Sequence, residues 1–266
     1  MRLVRTVEEV RAALREPRAR GERIGLVPTM GAFHAGHLAL IRAAREASDL
    51  VVVSLFVNPS QFDAADDLAR YPRDEASDVR VAEAEGVDLL FAPAADELYP
   101  PDFATWVEPG ELATVLEGAA RPGHFRGVAT VCTKLFSVVQ PDAAWFGQKD
   151  AQQVAVIRQV VADLNLPLEI RVVATVRDAD GLDLSSRNTL LSPEERQFAL
   201  ALPRALDAGL MAHRSGEDPV DAARAVLATE HAIEVDYVAV ADFGAPTLVA
   251  AVRIGATRLI DNVVLA

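Results

Sequence analysis

His34 and His37 lie three positions apart in the segment 28–37, which reads P-T-M-G-A-F-H-A-G-H. An apolar run at residues 23–27 predicts a strand before it, and helically spaced apolar residues over 38–47 predict a helix after it. Glycines let backbone N–H groups approach a ligand, and a helix that starts near His37 adds unpaired N–H groups and a positive dipole end. The segment therefore predicts a phosphate site where both imidazoles donate hydrogen bonds or charge.

Two other interpretations of the histidines remain open. An i, i+3 pair can ligate a metal ion, although no third ligand is close in sequence and Cys132 is the only cysteine. The two rings could instead cap the helix or pack against it. The chain has neither G-x-x-x-x-G-K-[ST] nor G-x-G-x-x-G, which excludes a kinase-like P-loop and the dinucleotide fingerprint.

The net charge of −13 argues against nucleic acid or an anionic membrane as a partner. A protein this acidic must concentrate positive groups locally if it binds a triphosphate. The candidates are His34, His37, Arg126, Lys149 and Arg187. One cysteine cannot form an internal disulfide, no signal pattern is present, and no apolar run reaches the roughly 18 residues that span a bilayer. We therefore expect a soluble cytoplasmic protein.

Two more strand ends carry polar residues. Residues 50–57 (LVVVSLFV) are typical of a parallel strand buried on both faces, and Gln61 follows it. A strand at 143–146 and a helix at 151–164 flank Lys149, with Gln153 one turn into the helix. Ligands of open parallel sheets collect at the carboxyl ends of strands, so these side chains are expected to face one crevice.

Several other segments have less specific patterns. Thr6 predicts a capping box for a first helix that Pro17 and Gly21 end, and residues 63–70 predict a mobile loop. Asp78, on a predicted helix ending at residue 85, could face the metal ion of a nucleotide or be a solvated helical carboxylate. The loop 121–127, with two arginines and a histidine, could face an anion or be a charged surface turn.

The polar turn at residues 176–181 predicts a domain boundary. Residues 1–175 are expected to form a doubly wound, Rossmann-like α/β domain around a parallel sheet. Residues 176–266 are expected to form a smaller α+β domain, with a capping box at Ser192, two alanine-rich helices reaching residue 231, and an antiparallel sheet.

The segment 28–37 resembles the H-x-G-H signature of the nucleotidyltransferase superfamily. In its longer form it resembles the pantothenate synthetase family, and matching segments recur over residues 4–258. The resemblance implies a ligase that joins pantoate to β-alanine through a pantoyl adenylate, with ATP and Mg²⁺, as a homodimer. It also implies that no nucleic acid or membrane is a partner.

The resemblance assigns roles to particular positions. It makes His37 a catalytic acid, acting with His34, Lys149 and Arg187 on the phosphates. It makes Gln61 and Gln153 the residues that hold pantoate, with Gln61 also near β-alanine. The implied ATP contacts are Met30, Gly31, Ala32, Phe33, His34, Ala35, Gly36, His37, Gly147, Gln148, Lys149, Asp150, Val176, Leu184, Ser185, Ser186 and Arg187. One departure stands out, because Asp183 occupies a position where the family usually has a small apolar residue.

Three functions remain to be separated. The first is the ligase, in which residues after Val176 form a lid that brings Arg187 to ATP; the alternative for Arg187 is a surface position near a helix start. The second is a nucleotidylyltransferase that attaches AMP to a phosphate or nucleotide acceptor. The third is a nucleotide-binding regulatory module without turnover.

Overall fold

A computed structural model describes residues 1–62 and 65–265, with backbone only at 65–67. The chain divides into two compact units. The first comprises Met1–Phe146 and Gln152–Val173, and the second comprises Gly147–Ala151 and Ala174–Ala266. The second unit thus contains a segment that the sequence assigns to the first domain.

The first unit is built on a six-stranded parallel sheet flanked by helices. Its strands are β1 (Arg2–Val4), β2 (Ile24–Thr29), β3 (Leu50–Leu55), β4 (Leu89–Phe91), β5 (Ala143–Gly147) and β6 (Glu169–Val173), in the order β1-β4-β3-β2-β5-β6. The helices are α1 (Val7–Ala19), α2 (Ala35–Ala47), α3 (Ala65–Arg70), α4 (Glu75–Ala84), α5 (Ala95–Leu98), α6 (Glu117–Ala120), α7 (His124–Val139) and α8 (Ala151–Asp163).

The strand order creates a switch point beside β2. The chain adds β3 and then β4 on one side of β2, and β5 pairs with its other side. Such a reversal leaves a crevice at the carboxyl ends of the two strands that flank it. The predicted doubly wound α/β class is confirmed.

Local signals explain most element ends in this unit. The capping box of Thr6 and Glu9 is present at the start of α1. However, α1 continues past Pro17 to Ala19, and it ends just before Gly21, whose φ of +72° is typical of the residue after a helix. The prediction of a mobile loop at 63–70 is wrong for residues 65–70, which form α3, and residues 63 and 64 lie outside the described part.

The second unit packs three helices on a three-stranded antiparallel sheet. The helices are α9 (Pro193–Ala199), α10 (Ala201–Arg214) and α11 (Pro219–Leu227), and the strands are β7 (Ile233–Asp242), β8 (Pro246–Ile254) and β9 (Thr257–Val264). The capping box at Ser192 is confirmed. Two helices were expected before residue 231. The first of them is instead divided into α9 and α10 at Leu200, because Pro203 lacks the N–H that would continue the helical hydrogen bonds.

In the described ranges, no helix is both long and apolar enough to cross a membrane.

Candidate active site

The turn between β2 and α2 has an unusual backbone. Gly31 has φ +85° and Ala32 has φ +53°, so two consecutive residues adopt the left-handed region. Glycine enters this region freely, whereas an alanine there is strained and needs support from its surroundings. The helix begins at Ala35, two residues earlier than His37, where the sequence predicted it.

Asp78 of α4 supplies that support. Its Oδ2 accepts the N–H of Ala32 at 2.9 Å and its Oδ1 accepts the N–H of Phe33 at 2.8 Å. The carboxylate is buried, and a Cβ at Gly31 would lie 2.6 Å from its Oδ2. Asp78 therefore clamps the turn, so the solvated-carboxylate alternative does not hold, while a role toward a nucleotide's metal ion stays a prediction.

The two histidines are fixed by backbone donors. His34 is the N-cap of α2, and its Nδ1 accepts the N–H of Gly36 at 3.2 Å. The Nδ1 of His37 accepts the N–H of His34 at 3.3 Å, which closes a capping box. A ring nitrogen that accepts an N–H carries no proton, so in each neutral ring the proton resides on Nε2.

His37 is neutral at physiological pH. Burial lowers the pKa of His37 to about 3, and the neighbouring His34, whose ring centroid is 4.1 Å away, contributes in the same direction. The neutral ring can donate a hydrogen bond through its Nε2–H but supplies no positive charge. Of the two modes that the sequence allows for this residue, the structure favours hydrogen bonding.

The donors of the predicted anion site differ from those that the sequence suggests. The N–H groups of Ala32, Phe33, His34 and Gly36 bond to side chains of Asp78, His37 and His34. These backbone groups are therefore not available to a phosphate, and the candidate donors at the predicted site are the Nε2–H groups of the two imidazoles. The interpretation that the two rings cap the helix is therefore correct, and it leaves a role toward an anion open. Among the described residues no cluster of three His, Cys, Asp or Glu side chains could hold a metal ion.

Gln61 lies in a 3-10 turn, Pro59–Gln61, that follows β3. Its side chain is buried, and its Oε1 accepts the Nδ2–H of Asn58 at 2.9 Å. The same Asn58 amide donates to the carbonyl of Gly127 at 3.2 Å. Because the Oε1 is occupied, the Nε2–H groups of Gln61 are the ones that can meet a ligand, and they suit a carboxylate or hydroxyl oxygen.

Helix α7 holds this turn closely. The Nδ1 of His124 is 2.8 Å from the carbonyl oxygen of Gln61, and Arg121 donates to the same oxygen at 3.3 Å. A Cβ at Gly127 would lie 2.3 Å from the carbonyl oxygen of Ser60 and 2.7 Å from the nitrogen of Gln61. Glycine is therefore required where the helix meets the turn.

The loop 121–127 proves to be a support for Gln61. Arg121 and His124 serve the turn, whereas Arg126 lies 4.4 Å over the Trp106 ring and pairs with Glu108 at 3.1 Å. Sequence reasoning did not identify His124 as a positioning residue. The only available signal was a histidine beside glycines, which does not reveal a partner 63 positions away.

The two glutamines at the start of α8 differ in their surroundings. Gln152 is buried and bonds the backbone of Leu112, Val115 and Glu117. Gln153 is partly exposed, and no hydrogen bond of its side chain to another described residue is present. The amide of Gln153 therefore has no hydrogen-bond partner among the described residues, and its role toward a ligand stays a prediction.

The second unit contains the remaining predicted site residues. The N–H of Leu184 donates to the carbonyl of Val176 at 3.0 Å, so these two segments lie side by side. Ser185 caps the 3-10 turn Ser186–Leu190 by accepting the N–H of Arg187. Asn262 bonds the backbone of Gln148 and Lys149 and so fixes the segment Gly147–Ala151.

The structure therefore groups the predicted residues by unit. In the first unit, the histidine turn and the Gln61 turn follow β2 and β3, which are parallel neighbours, so both turns lie at the same edge of the sheet. In the second unit, Lys149 pairs with Asp183, which directly precedes residues 184–187, and Leu184 bonds the backbone of Val176.

The chain is similar to known proteins over its whole length. The family model described as pantoate-beta-alanine ligase matches residues 2–264. Pantothenate synthetase 1 of Bradyrhizobium diazoefficiens is 53% identical, with 100% of this chain and 98% of that protein covered. The crystal structure of pantothenate synthetase from Thermus thermophilus is 46% identical, with a TM-score of 0.95 over 100% of this chain and 99% of that one.

A third relative carries ligands. It is the pantoate-beta-alanine ligase of Francisella tularensis, in a crystal structure complexed with beta-gamma ATP and beta-alanine. It is 33% identical, with a TM-score of 0.87 over 100% of this chain and 98% of that one.

The histidine geometry leads to a spectroscopic prediction. In protein labelled with ¹⁵N-histidine, His37 should show a protonated Nε2 and a bare Nδ1 from pH 8 down to about pH 4, because its pKa lies at about 3. His37→Gln identifies its signals. A midpoint near 6.5, the value of an unperturbed histidine, would contradict the assignment.

The same shift links His37 to stability. An unfolded histidine gains its proton near pH 6.5, whereas the folded one resists it until about 3. The free energy of unfolding should therefore fall as the pH is lowered from about 6.5 towards 3. His37→Gln should lose part of this acid sensitivity, measured as the urea midpoint at pH 7 and pH 5. An equal pH dependence in both proteins would argue against a buried neutral ring.

Proposed function

This chain belongs to the pantoate-beta-alanine ligase family, and we propose that it joins pantoate to β-alanine at the expense of ATP, giving pantothenate, AMP and pyrophosphate. The observation that supports the reaction most strongly is the family match over residues 2–264. The complex of the Francisella tularensis relative with beta-gamma ATP and beta-alanine supports the choice of substrates.

The proposed reaction has two steps. The pantoate carboxylate attacks the α-phosphorus of ATP, forming one P–O bond while the bond to pyrophosphate breaks. The amine of β-alanine then attacks the carbonyl carbon of the pantoyl adenylate, AMP leaves, and the amine loses a proton. Both steps depend on alignment and on stabilisation of phosphoryl charge, for which preorganised donors are well suited.

His34 and His37 are the proposed donors in the first step. Their Nε2–H groups would bond phosphoryl oxygens as charge develops there, and the Nδ1 contacts to backbone N–H groups keep the rings from turning. The resemblance makes His37 a catalytic acid. Its neutral state favours donation of a hydrogen bond without complete proton transfer.

Mg²⁺ is proposed to enter as part of MgATP and to neutralise charge on the triphosphate. The described residues offer no cluster of three ligands for it, and both oxygens of Asp78 already accept backbone N–H groups. We therefore propose that Asp78 positions the histidine turn. The metal ion would be ligated by phosphate oxygens of ATP and not by protein side chains.

The second unit is proposed to act as a lid. Lys149 and Arg187, with the backbone of Val176 and residues 184–187, would meet the nucleotide on closure, as the resemblance implies. Closure would exclude water, which hydrolyses an acyl adenylate. The homodimer and the cytoplasmic location implied by the sequence stay predictions.

The test of the function is exchange of labelled pyrophosphate into ATP. Exchange should require both pantoate and MgATP and proceed without β-alanine, because the carboxylate is activated before the amine reacts. Phosphate and nucleotide acceptors are assayed in parallel. Exchange driven by one of those acceptors would indicate a nucleotidylyltransferase, and binding of ATP without any exchange would indicate a regulatory module.

Asp78→Asn separates positioning from metal binding. An amide places an N–H donor against the N–H of Ala32 or Phe33, so the turn should loosen and kcat/KM for ATP should fall about 5- to 150-fold, as for loss of a buried hydrogen bond. The Mg²⁺ concentration for half-maximal exchange should not change. Activity that returns to normal when Mg²⁺ is raised would instead identify Asp78 as a metal ligand.

Gln61→Ala should act on pantoate. Loss of its Nε2–H donors leaves substrate oxygens without partners, so KM for pantoate should rise about 5- to 150-fold while KM for ATP changes little. Gly127→Ala should show the same pattern, since the added Cβ displaces the turn that carries Gln61. Gln159→Ala removes an exposed amide of α8 and serves as the matched control. Equal effects of Gln61→Ala on both substrates would contradict the assignment.

A further inference from the structure

Lys149 is held by a buried carboxylate of its own unit. Its Nζ is 2.7 Å from Oδ2 of Asp183 and donates to the carbonyl of Ile260 at 2.8 Å. The side chain of Asp183 is 1% exposed and that of Lys149 is 17% exposed. These two contacts occupy two of the three N–H groups of the ammonium, and one remains.

Asp183 has little other support. Within the part of the chain that the structure describes, Lys149 is the single ion-pair partner of Asp183, and no other donor bonds its carboxylate oxygens. A buried carboxylate with so few partners is costly, because one ion pair rarely repays the desolvation of both charges.

Arg177 is a second cation that interacts with Asp183, but its ion pair is with Asp261. Arg177 pairs with both oxygens of Asp261, at 2.6 and 3.1 Å, and so balances the other buried carboxylate nearby. The carboxylates that face Lys149 are Asp183, Asp150 and Asp261. Burial lowers the pKa of Lys149, but these carboxylates, Asp183 first, more than offset it and keep the pKa above its usual value.

We propose that Asp183 is a positioning residue of this protein: it fixes the direction of the Lys149 ammonium and preserves its positive charge, so that the remaining N–H can be donated to a phosphate of the nucleotide. The inference rests on the proposed function for its phosphate partner. The geometry of the pair itself lies entirely within the second unit and does not depend on that function.

The composition of the chain makes the direct test simple, because Lys134 and Lys149 are its only lysines. Lys134 lies on α7 over the rings of Tyr99 and Phe103, outside the proposed site. In the Lys134→Arg background, ¹³C-labelled lysine gives a single Cε signal whose shift reports protonation of Lys149. Asp183→Asn should lower the midpoint of this titration by about 1–3 pH units, as expected for loss of an opposite charge.

The kinetic arm uses pyrophosphate exchange, because no β-alanine is present whose amine would titrate in the same range. In Asp183→Asn the alkaline limb of kcat/KM for ATP should move to lower pH by the same amount as the NMR midpoint. Asp236→Asn is the matched control: it removes a partly buried carboxylate paired with Arg253 and Arg258 in the same unit, and should leave both curves in place.

The outcomes are distinguishable. An unchanged Lys149 midpoint in folded Asp183→Asn, or a lower KM for ATP that shows Asp183 to be a competitor of the phosphate, would overturn the proposal. Addition of MgATP should shift the Lys149 signal. If it does not, while Asp183→Asn still lowers the midpoint, the proposed nucleotide contact has failed and the pairing has not. Asp183→Ala, which replaces the buried carboxylate with a small apolar side chain, tests the same points should Asp183→Asn fold poorly.

Discussion

The first unit depends on how the backbone N–H groups between β2 and α2 are satisfied. A chain that leaves a buried strand and enters a helix within six residues has several donors without intrahelical partners. Here a carboxylate from α4 accepts two of them, and two imidazoles of the turn accept two more. One set of hydrogen bonds thus supports the strained backbone at Ala32 and fixes the tautomer of each histidine. The hydrogen bonds that stabilise this turn are thus also the ones that set which ring nitrogen can donate.

The neighbouring turn at Gln61 is also fixed by contacts with surrounding residues. Its carbonyl is held by His124 and Arg121, its side-chain oxygen by Asn58, and its backbone lies against Gly127. The three hydrogen bonds all use oxygen acceptors of the glutamine, so its amide N–H groups are the ones predicted to meet a ligand. The parallel pairing of β2 with β3 then brings this donor to the same sheet edge as the histidines. Rigid elements thus fix the donors before any substrate binds.

The sequence predicted features that are local or periodic. The apolar runs located β2, β3 and β5, the capping boxes at Thr6 and Ser192 were correct, and the histidine motif identified the family. It did not predict contacts between distant positions, such as Asp78 with Ala32 across 46 residues or His124 with Gln61 across 63. A single carboxylate in a polar helix carries no local sign of its partner. Nor does any residue propensity predict an alanine in the left-handed region, because that conformation is stabilised here by a tertiary contact with Asp78.

The acidic composition explains why neither unit relies on an excess of positive charge. With a net charge of −13, the protein surrounds its cations with carboxylates, and Lys149 and Arg177 are each balanced by a buried aspartate. His37 is uncharged. A triphosphate would therefore be recognised by fixed N–H donors, with much of its charge neutralised by the Mg²⁺ proposed to accompany it. Fixed donors in a protein interior lose little energy to reorganisation as charge moves onto a phosphoryl group. Such a site distinguishes the geometry of the transition state from that of bound ATP better than a cluster of mobile cations would.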